Sequence, residues 1–364
     1  MRLQSLQLHN FRSYTQQSFA FSKNAAVLIG PNAIGKTNVV EAVTLLAIGK
    51  SFRAGRDEEM VHFGEDFGRV SADVDGQSLE IVLTRGQWQG KKVAKKRFLL
   101  SGVAKRRKDF IGRLKIVLFQ PQDIDLVLGS PSRRRDYLDM VLSQIDSEYD
   151  RSLLSYQKGV RQRNKLLTAI SEGRAKISQL EFWDRLLAKD GEIISQKRAD
   201  YLDFLNRLAA QASFRHQLLG TNGNDDLLPE FSFAYKPNRI SLQRLKNHQA
   251  AEVATGVTLV GPHRDDFTFM HQHDSEEPTA LATYGSRGEQ RMSVLALKLG
   301  ELTFVKTKTQ EEPVLLLDDI FSELDHPHQE IVLRIIGKQQ TIMTTTDLKL
   351  FGKKMLADLQ VIQL

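Results

Sequence analysis

The chain has 364 residues, no cysteine, a formal net charge of +7 and a pI near 9.4, with 41% hydrophobic and 26% charged residues. This composition is typical of a soluble globular protein of two lobes, and it excludes disulfides, thiolate metal sites and a bilayer-spanning segment. The start of the sequence lacks the apolar core of a signal peptide, so we expect a cytoplasmic protein without a membrane partner. The positive charge favours polyanionic partners.

The first informative element is a glycine-bounded loop between a predicted strand, Ala25 to Ile29, and a predicted helix, Val39 to Ile48. It fits the pattern G-x-x-x-x-G-K-[ST], in which backbone amides and a helix N-terminus point at phosphate oxygens. Lys36 is predicted to reach the β- and γ-phosphates as a catalytic residue, and Thr37 to ligate Mg²⁺. A plain strand-to-helix turn is the weaker alternative. The predicted nucleoside triphosphate site comprises Gly30, Pro31, Asn32, Ala33, Ile34, Gly35, Lys36 and Thr37.

Basic residues follow in three groups, of which the first flanks a predicted hairpin and the last begins a predicted helix. Charge runs are often only solvated faces. In a chain with a nucleotide site and a positive net charge, contacts with a DNA backbone are the better interpretation. No motif for sequence-specific base recognition stands out. The candidate DNA-binding residues are Lys91, Lys92, Lys95, Lys105, Arg106, Arg107 and Arg133.

The middle of the chain is predicted to be helical. Apolar residues recur at helical spacing from Leu138 to Val160 and again from Leu180 to Leu208. These stripes predict two antiparallel helices whose apolar faces pack in a core.

A second anion-binding surface is predicted near the C-terminal end. Ser286, Gly288 and Gln290 precede an apolar-periodic stretch, so they lie at a helix N-terminus.

An apolar strand then ends in Asp318 and Asp319. Because ligands of open α/β sheets bind beyond the carboxyl ends of the strands, Asp318 is predicted to hold Mg²⁺ and Asp319 to act as the catalytic base. The two acids could instead cap the next helix.

These features together resemble the ABC-type ATPase heads and, within them, the RecF proteins of bacterial recombinational repair. The pattern Ser286-x-Gly288-x-Gln290 resembles the ABC signature, and segment 322–325 resembles the D-loop. Four further motifs resemble RecF landmarks and extend the resemblance over essentially the whole chain. They are Asn10-Phe11-Arg12-Ser13-Tyr14, Gly49-Lys50-Ser51-Phe52-Arg53, Gly129-Ser130-Pro131-Ser132-Arg133-Arg134-Arg135 and Gly261-Pro262-His263-Arg264-Asp265-Asp266.

The resemblance implies an α/β fold in which an ABC-type ATPase head is interrupted by a mainly helical lobe. The head would comprise residues 1–122 and 250–364, with the signature and the Walker B acids in the second segment. The helical lobe would comprise residues 123–249.

The resemblance also implies a homodimer, because the signature of one ABC subunit closes over the nucleotide held by another. Ser286, Gly288 and Gln290 would then bind ATP across the interface. The closed dimer would bind gapped or junction DNA and, with RecR and RecO, help load RecA.

Two departures from the ABC pattern, at Asp319 and Thr346, predict that this Mg-dependent ATPase is slow and serves as a switch. Asp319 stands where many ABC ATPases have glutamate. Ala33 replaces a glycine often found in the phosphate loop, which would constrain the loop if this position needs a positive φ. Thr346 occupies the expected position of the switch histidine. Gln120 is the candidate for the Q-loop glutamine.

Two other functions are compatible with parts of this pattern. One is the ATPase subunit of a membrane transporter, although the central helices carry no membrane-facing amphipathic signal. The other is a DNA-binding scaffold that holds ATP without hydrolysing it.

Overall fold

The structure, a computed structural model, divides into two compact units, Met1–Asp123 with Glu301–Leu364 and Ile124–Gly300. None of the described helices is long and apolar enough to cross a bilayer. Glu323 of the predicted D-loop lies outside the described residues. The structure describes residues 1–88, 90–211, 214, 230–273, 276–322 and 324–364.

Within the described ranges, the strands form two large sheets, one small sheet and one short hairpin. In chain order they are β1 (Leu3–Phe11), β2 (Tyr14–Ala20), β3 (Ala25–Ile29), β4 (Phe67–Val74), β5 (Gln77–Thr84), β6 (Gln87–Trp88), β7 (Lys91–Lys92), β8 (Lys96–Leu100), β9 (Val103–Lys105), β10 (Ile116–Phe119), β11 (Glu230–Lys236), β12 (Asp266–His273), β13 (Glu276–Ala280), β14 (Val314–Asp318), β15 (Thr341–Thr345) and β16 (Gln360–Gln363).

The helices differ greatly in length, and the two longest lie in the second unit. In chain order they are α1 (Lys36–Ile48), α2 (Arg107–Phe110), α3 (Asp125–Leu128), α4 (Pro131–Ser143), α5 (Ser147–Ser171), α6 (Glu181–Ala209), α7 (Leu242–Thr255), α8 (Leu281–Tyr284), α9 (Arg287–Thr309), α10 (His326–Ile335) and α11 (Lys353–Asp358).

A parallel sheet with the order β10-β14-β15-β3-β16 forms the centre of the first unit. Its strands are short apolar runs, and every residue of β10, β14 and β15 is buried. Such continuous burial is expected of a parallel sheet covered on both faces. The register pairs Ile29 with Thr345 and Thr344 with Asp318, so the carboxyl ends of β3, β15 and β14 lie side by side.

An antiparallel sheet with the order β2-β1-β4-β5-β8-β9 forms the rest of that unit's strand structure, apart from the β6–β7 hairpin. Buried and more exposed residues alternate along β4, as expected of a sheet with one face on the core. This sheet carries the first RecF-like landmark at the turn between β1 and β2.

The second unit is built around the antiparallel pair α5 and α6. Tyr149 near the start of α5 contacts Arg198 in the second half of α6, whereas Arg163, later in α5, contacts Asp184 near the start of α6. The two helices therefore run in opposite directions. The first predicted helix is in fact two helices, α4 and α5. Asp146 separates them because its side chain caps the amides that begin α5.

The unit boundaries differ from the predicted ones. Residues 250–300, predicted to belong to the head, lie in the same compact unit as the long helices. The reason is pairing over long range: β12 and β13 complete a sheet with β11, and a buried ion pair of 2.7 Å joins Arg163 to Glu252. Helical periodicity within residues 123–249 gives no information about strand pairing or ion pairs with residues 250–300.

Two RecF-like landmarks pair with each other inside the second unit. Arg134 donates to both carboxylate oxygens of Asp266, at 2.6 and 3.0 Å, and Arg135 donates to the Asp265 carbonyl at 2.8 Å. Arg198 donates to the Asp265 carboxylate at 3.0 Å. Arg134 and Arg135 therefore hold the fold together, and only Arg133 of this basic run is exposed.

Candidate nucleotide-binding site

The loop between β3 and α1 has the backbone of a phosphate cradle. Gly35 has φ +115°, and a Cβ atom there would lie 2.8 Å from the Tyr14 hydroxyl, so only glycine fits. Ala33 has φ 65°. This position therefore needs the positive φ that glycine adopts freely, and it costs a residue with a Cβ about 1–2 kcal/mol.

The Lys36 side chain stabilises this loop by hydrogen bonds to the loop backbone. Its ammonium donates to the carbonyls of Gly30 at 2.6 Å and Pro31 at 2.9 Å, and the side chain is buried. Among the described side chains, none caps the N-terminus of α1, and its first turn contains no acid. The positive end of the helix and its first amides therefore face an anion without competition, which fits a triphosphate.

Asp318 joins two threonines at the carboxyl edge of the parallel sheet. Its Oδ1 accepts hydrogen bonds from Thr37 Oγ1 at 3.1 Å and from Thr344 Oγ1 at 2.8 Å. The predicted Mg²⁺ residues Thr37 and Asp318 are thus in direct contact. No group of three or more His, Cys, Asp or Glu side chains gathers into a metal site within the described ranges. A single carboxylate with a hydroxyl fits Mg²⁺, which takes its remaining ligands from phosphate and water.

Burial raises the pKa of Asp318 above its ordinary value. Hydrogen bonds from Thr344 and Thr37 oppose this effect without cancelling it, and the nearby Asp319 carboxylate adds to it. Ionised Asp318 therefore destabilises the folded protein, and a bound cation would offset that cost.

We expect Asp318→Asn to raise the melting temperature of the nucleotide-free protein at neutral pH. A carboxyl whose pKa is raised by folding destabilises the folded state once it is ionised, and asparagine keeps its shape and its acceptor oxygen. The gain should shrink as the pH falls towards the ordinary aspartate range, where the wild-type side chain is protonated. Thermal unfolding across pH 4–8 measures it; a gain independent of pH would contradict the assignment.

Asp319 lies in a tight turn immediately after β14. Its φ is 51°, its amide donates to Thr344 Oγ1 at 2.9 Å, and its carbonyl accepts from Ser322 Oγ at 2.7 Å. Aspartate tolerates this left-handed conformation better than most residues. Thr344 therefore organises both acids, a role that the sequence pattern did not predict, because the switch position corresponds to Thr346. The one signal available was a threonine at the carboxyl end of a neighbouring strand.

The remaining candidates of the first unit lie at the same edge. Gln120 follows β10, whose last residue, Phe119, pairs with Leu317 beside Asp318. Thr346 follows β15 and is exposed.

The signature residues lie in the second unit, where they begin α9. Ser286 and Glu289 form a reciprocal cap: the Glu289 amide donates to Ser286 Oγ at 3.3 Å, and the Ser286 amide donates to Glu289 Oε2 at 2.6 Å. Ser286 and Gly288 are exposed. Gln290 is buried and donates to the carbonyls of Leu281 and Gly285, both at 3.0 Å. Its amide group thus shapes the signature loop.

Two of the RecF-like motifs contact the same residue of α1 beside the phosphate loop: Arg12 of the first motif and Arg53 of the second both bind Glu41. The carboxylate of Glu41 is fully buried and accepts from Arg12 Nε at 2.8 Å and Arg53 Nε at 3.0 Å. Burial raises the pKa of Glu41, but hydrogen bonds from Arg12 and Ser51 and the two positive charges outweigh it, so the pKa lies below its ordinary value. Asn38 donates to Ser13 Oγ at 2.8 Å, which fastens the β1–β2 turn to the same helix.

Comparison with known proteins decides the family. The family model described as the RecF/RecN/SMC N terminal domain matches residues 2–358. A protein of Moorella thermoacetica named "DNA replication and repair protein RecF" is 36% identical, with 98% of this chain and 93% of the relative covered. A protein of the same name from Roseiflexus castenholzii is 37% identical, with 98% and 96% covered. The chain belongs to the RecF family.

Solved structures give the same result for the fold. The recombination mediator protein RecF-ATPrS in the RecFOR pathway matches with a TM-score of 0.82 and 29% identity, covering 100% of this chain and 96% of its own. The RecF-ATP structure matches at 0.80 and 30%, covering 95% and 92%. An Smc head domain from Pyrococcus furiosus matches at 0.52 and 17%, which concerns the fold alone. The ABC-type ATPase head predicted from the sequence is confirmed.

In this RecF-family chain, the candidate DNA-binding residues differ in the partners they have. Arg107 donates to the Ile48 carbonyl at 2.8 Å, so it caps the C-terminal end of α1. Lys95 pairs with Glu58 at 2.8 Å, Arg106 with Asp109 at 3.2 Å, and Arg133 with Asp125 at 3.8 Å. Lys91, Lys92 and Lys105 are exposed.

Proposed function

We propose that this RecF-family protein is an ATP-dependent DNA-binding protein of recombinational repair. It binds gapped or junction DNA as a dimer closed by ATP, acts in the cytoplasm, and helps load RecA together with RecO and RecR. The observation that carries the proposal is the contact between Thr37 and Asp318, because it joins a phosphate loop to an acidic strand end. The RecF-ATP relatives of the RecFOR pathway support it.

The proposed site holds its substrate from two sides. Lys36 and the first amides of α1 bind the phosphates, while Thr37 and Asp318 hold Mg²⁺, which would neutralise charge on the phosphate oxygens. Ser286 and the amides near Gly288 of a second copy cover the opposite side. One signature and one phosphate loop in each chain then give two equivalent sites in an isologous dimer.

Asp319 is the proposed base that orients the attacking water. Its side chain is one methylene shorter than the glutamate of many ABC ATPases, and Thr346 cannot act as an imidazole does. We therefore infer turnover well below the ~10 s⁻¹ typical of enzymes. A slow reaction suits a switch in which the ATP-bound dimer persists and hydrolysis reopens it.

Lys91, Lys92 and Lys105 are the proposed contacts with the DNA backbone, because they are exposed. In contrast, Lys95, Arg106 and Arg133 each pair with an acidic residue, and Arg107 caps α1. Each phosphate neutralised on duplex DNA contributes about −0.9 to the slope of log affinity against log salt. Changing all three to glutamine should flatten that slope by up to about 2.7 and leave ATP binding intact.

Equilibrium DNA binding across a salt series, with ATP present, tests this expectation. The matched control replaces Lys158, Arg161 and Lys165, three exposed basic residues of α5, with glutamine and so removes the same charge. An unchanged slope for the first variant, or an equal change in both, would mean that the three lysines form only a solvated face.

A further inference from the structure

Two aromatic side chains are the most exposed large apolar groups among the described residues. Phe63 is 93% exposed and Tyr284 is 75% exposed. Tyr284 lies two residues before Ser286, and Phe63 lies in a turn that is connected to the phosphate loop through Arg12 and Ser13. The two most exposed large apolar side chains thus belong to segments linked to the two halves of the proposed composite site.

Phe63 is exposed although its turn, residues 61–66, is firmly held. The His62 amide donates to the Asn10 carbonyl at 2.9 Å, and the Glu65 amide donates to the His62 carbonyl at 3.1 Å. Asn10 Nδ2 donates to the Glu65 carboxylate at 2.9 Å, and Arg85 Nε to the Glu65 carbonyl at 2.7 Å. The turn therefore presents Phe63 on a fixed backbone.

Arg12 connects this turn to the phosphate loop. The Arg12 carbonyl accepts from His62 Nδ1 at 2.6 Å, while its guanidinium bonds Glu41 on α1. The next residue, Ser13, has its hydroxyl 3.0 Å from where a Cβ of Gly35 would be. Two successive contacts, His62 with Arg12 and Ser13 with Gly35, thus connect the turn to the phosphate loop.

Tyr284 is held equally firmly beside the signature. It ends α8, and the carbonyls on either side of it, at Leu281 and Gly285, accept the buried Gln290 amide at 3.0 Å. A Cβ at Gly285 would lie 2.8 Å from the Leu281 carbonyl oxygen, so the backbone is tightly folded at this point.

We propose that Phe63 and Tyr284 are apolar anchors of the ATP-closed dimer, each buried against a second copy of the chain. The proposal rests on the composite site inferred above. A standard interface covers about 800 Å² per partner, so residues around the nucleotide contribute to it as well. Buried aromatic residues dominate the binding energy of such interfaces.

Charge supports a second copy as the occupant. The Phe63 turn carries exposed Glu65 and Asp66, with exposed Glu59 just before it, whereas exposed Arg287 stands in the signature. Acidic residues beside Phe63 repel a DNA backbone, but they complement the basic signature of another chain.

The test compares Phe63→Ser and Tyr284→Ser with Phe182→Ser. Phe182, on α6, is 64% exposed and lies outside both halves of the composite site, so it is the matched control. Sedimentation velocity over a concentration series with ATP gives the dimer dissociation constant, and fluorescent ATP titration gives nucleotide affinity. We expect at least a tenfold weaker dimer for Phe63→Ser and for Tyr284→Ser, and wild-type dimerisation for Phe182→Ser. At protein concentrations low enough to keep every variant monomeric, we expect unchanged ATP affinity for all three.

Wild-type dimerisation of both site variants, with Ser286→Arg remaining monomeric, would overturn the anchor role and leave the composite site intact. Dimerisation of Ser286→Arg as well would overturn the proposed function itself. If Phe63→Ser and Tyr284→Ser dimerised normally but bound DNA more weakly, the aromatic side chains would contact DNA, and the anchor role would again be wrong.

Discussion

Lys36→Ala is expected to abolish ATP binding, whereas Ser286→Arg is expected to retain ATP binding and lose dimerisation. Lys36 supplies charge-assisted hydrogen bonds from a buried position, so its removal should weaken ATP affinity by about 100-fold or more. Ser286 is exposed, and a Cβ at neighbouring Gly288 would meet only Ser286 Oγ, at 3.9 Å. Arginine therefore fits the free chain at position 286, but it would block the surface that is proposed to close on a nucleotide.

Fluorescent ATP titration and sedimentation velocity with ATP separate the two defects. Ser286→Ala is the control for Ser286→Arg, because it removes the same hydroxyl cap without adding bulk or charge. We expect Ser286→Ala to dimerise, although less tightly than the wild type. A Ser286→Arg protein that dimerises with ATP as the wild type does would refute the trans arrangement.

Asp319→Asn is expected to bind ATP normally and to hydrolyse it at least 100-fold more slowly, because a positioned base contributes about 10²–10⁴ in rate. Asparagine accepts the φ of 51° as readily as aspartate does, and the amide of residue 319 keeps its bond to Thr344. The variant thus removes the carboxylate and preserves the turn.

Phosphate release at saturating ATP measures this effect. Asp347→Asn is the matched control, because Asp347 is an exposed acid just beyond β15 at the same edge of the sheet. We expect it to hydrolyse ATP at the wild-type rate. Normal turnover by Asp319→Asn would show that another group activates the water.

Local patterns in the sequence predicted the positions of the loop and the strand end that form the proposed nucleotide half-site. The phosphate loop lies between a strand and a helix as predicted, and Asp318 ends the buried strand beside it. These features follow from short-range rules, namely apolar runs and glycine spacing, and from the rule that ligands bind at the carboxyl ends of parallel strands.

Partners brought together over long range could not be predicted. Thr344 is 26 residues from Asp318 and contacts it only because β15 pairs with β14. Arg107 belonged to a basic run in the sequence, yet it caps α1, 59 residues away. A charge pattern shows which residues are basic, but only the fold decides which of them stay solvated.

The same limitation explains the unit boundary. Helical periodicity ended near residue 208, and nothing local indicated that residues 250–300 complete the second unit. Their attachment depends on the pairing of β11 with β12 and on Glu252 meeting Arg163, contacts between segments far apart in the sequence.

The central claim is that ATP hydrolysis times the release of DNA from a closed dimer. Phosphate release and dissociation from gapped DNA, followed together in the wild type and in Asp319→Asn, test it most directly. We expect wild-type DNA dissociation to follow hydrolysis, and the variant to retain both ATP and DNA. If Asp319→Asn stops hydrolysis but releases DNA at the wild-type rate, hydrolysis does not time the complex and the claim is wrong.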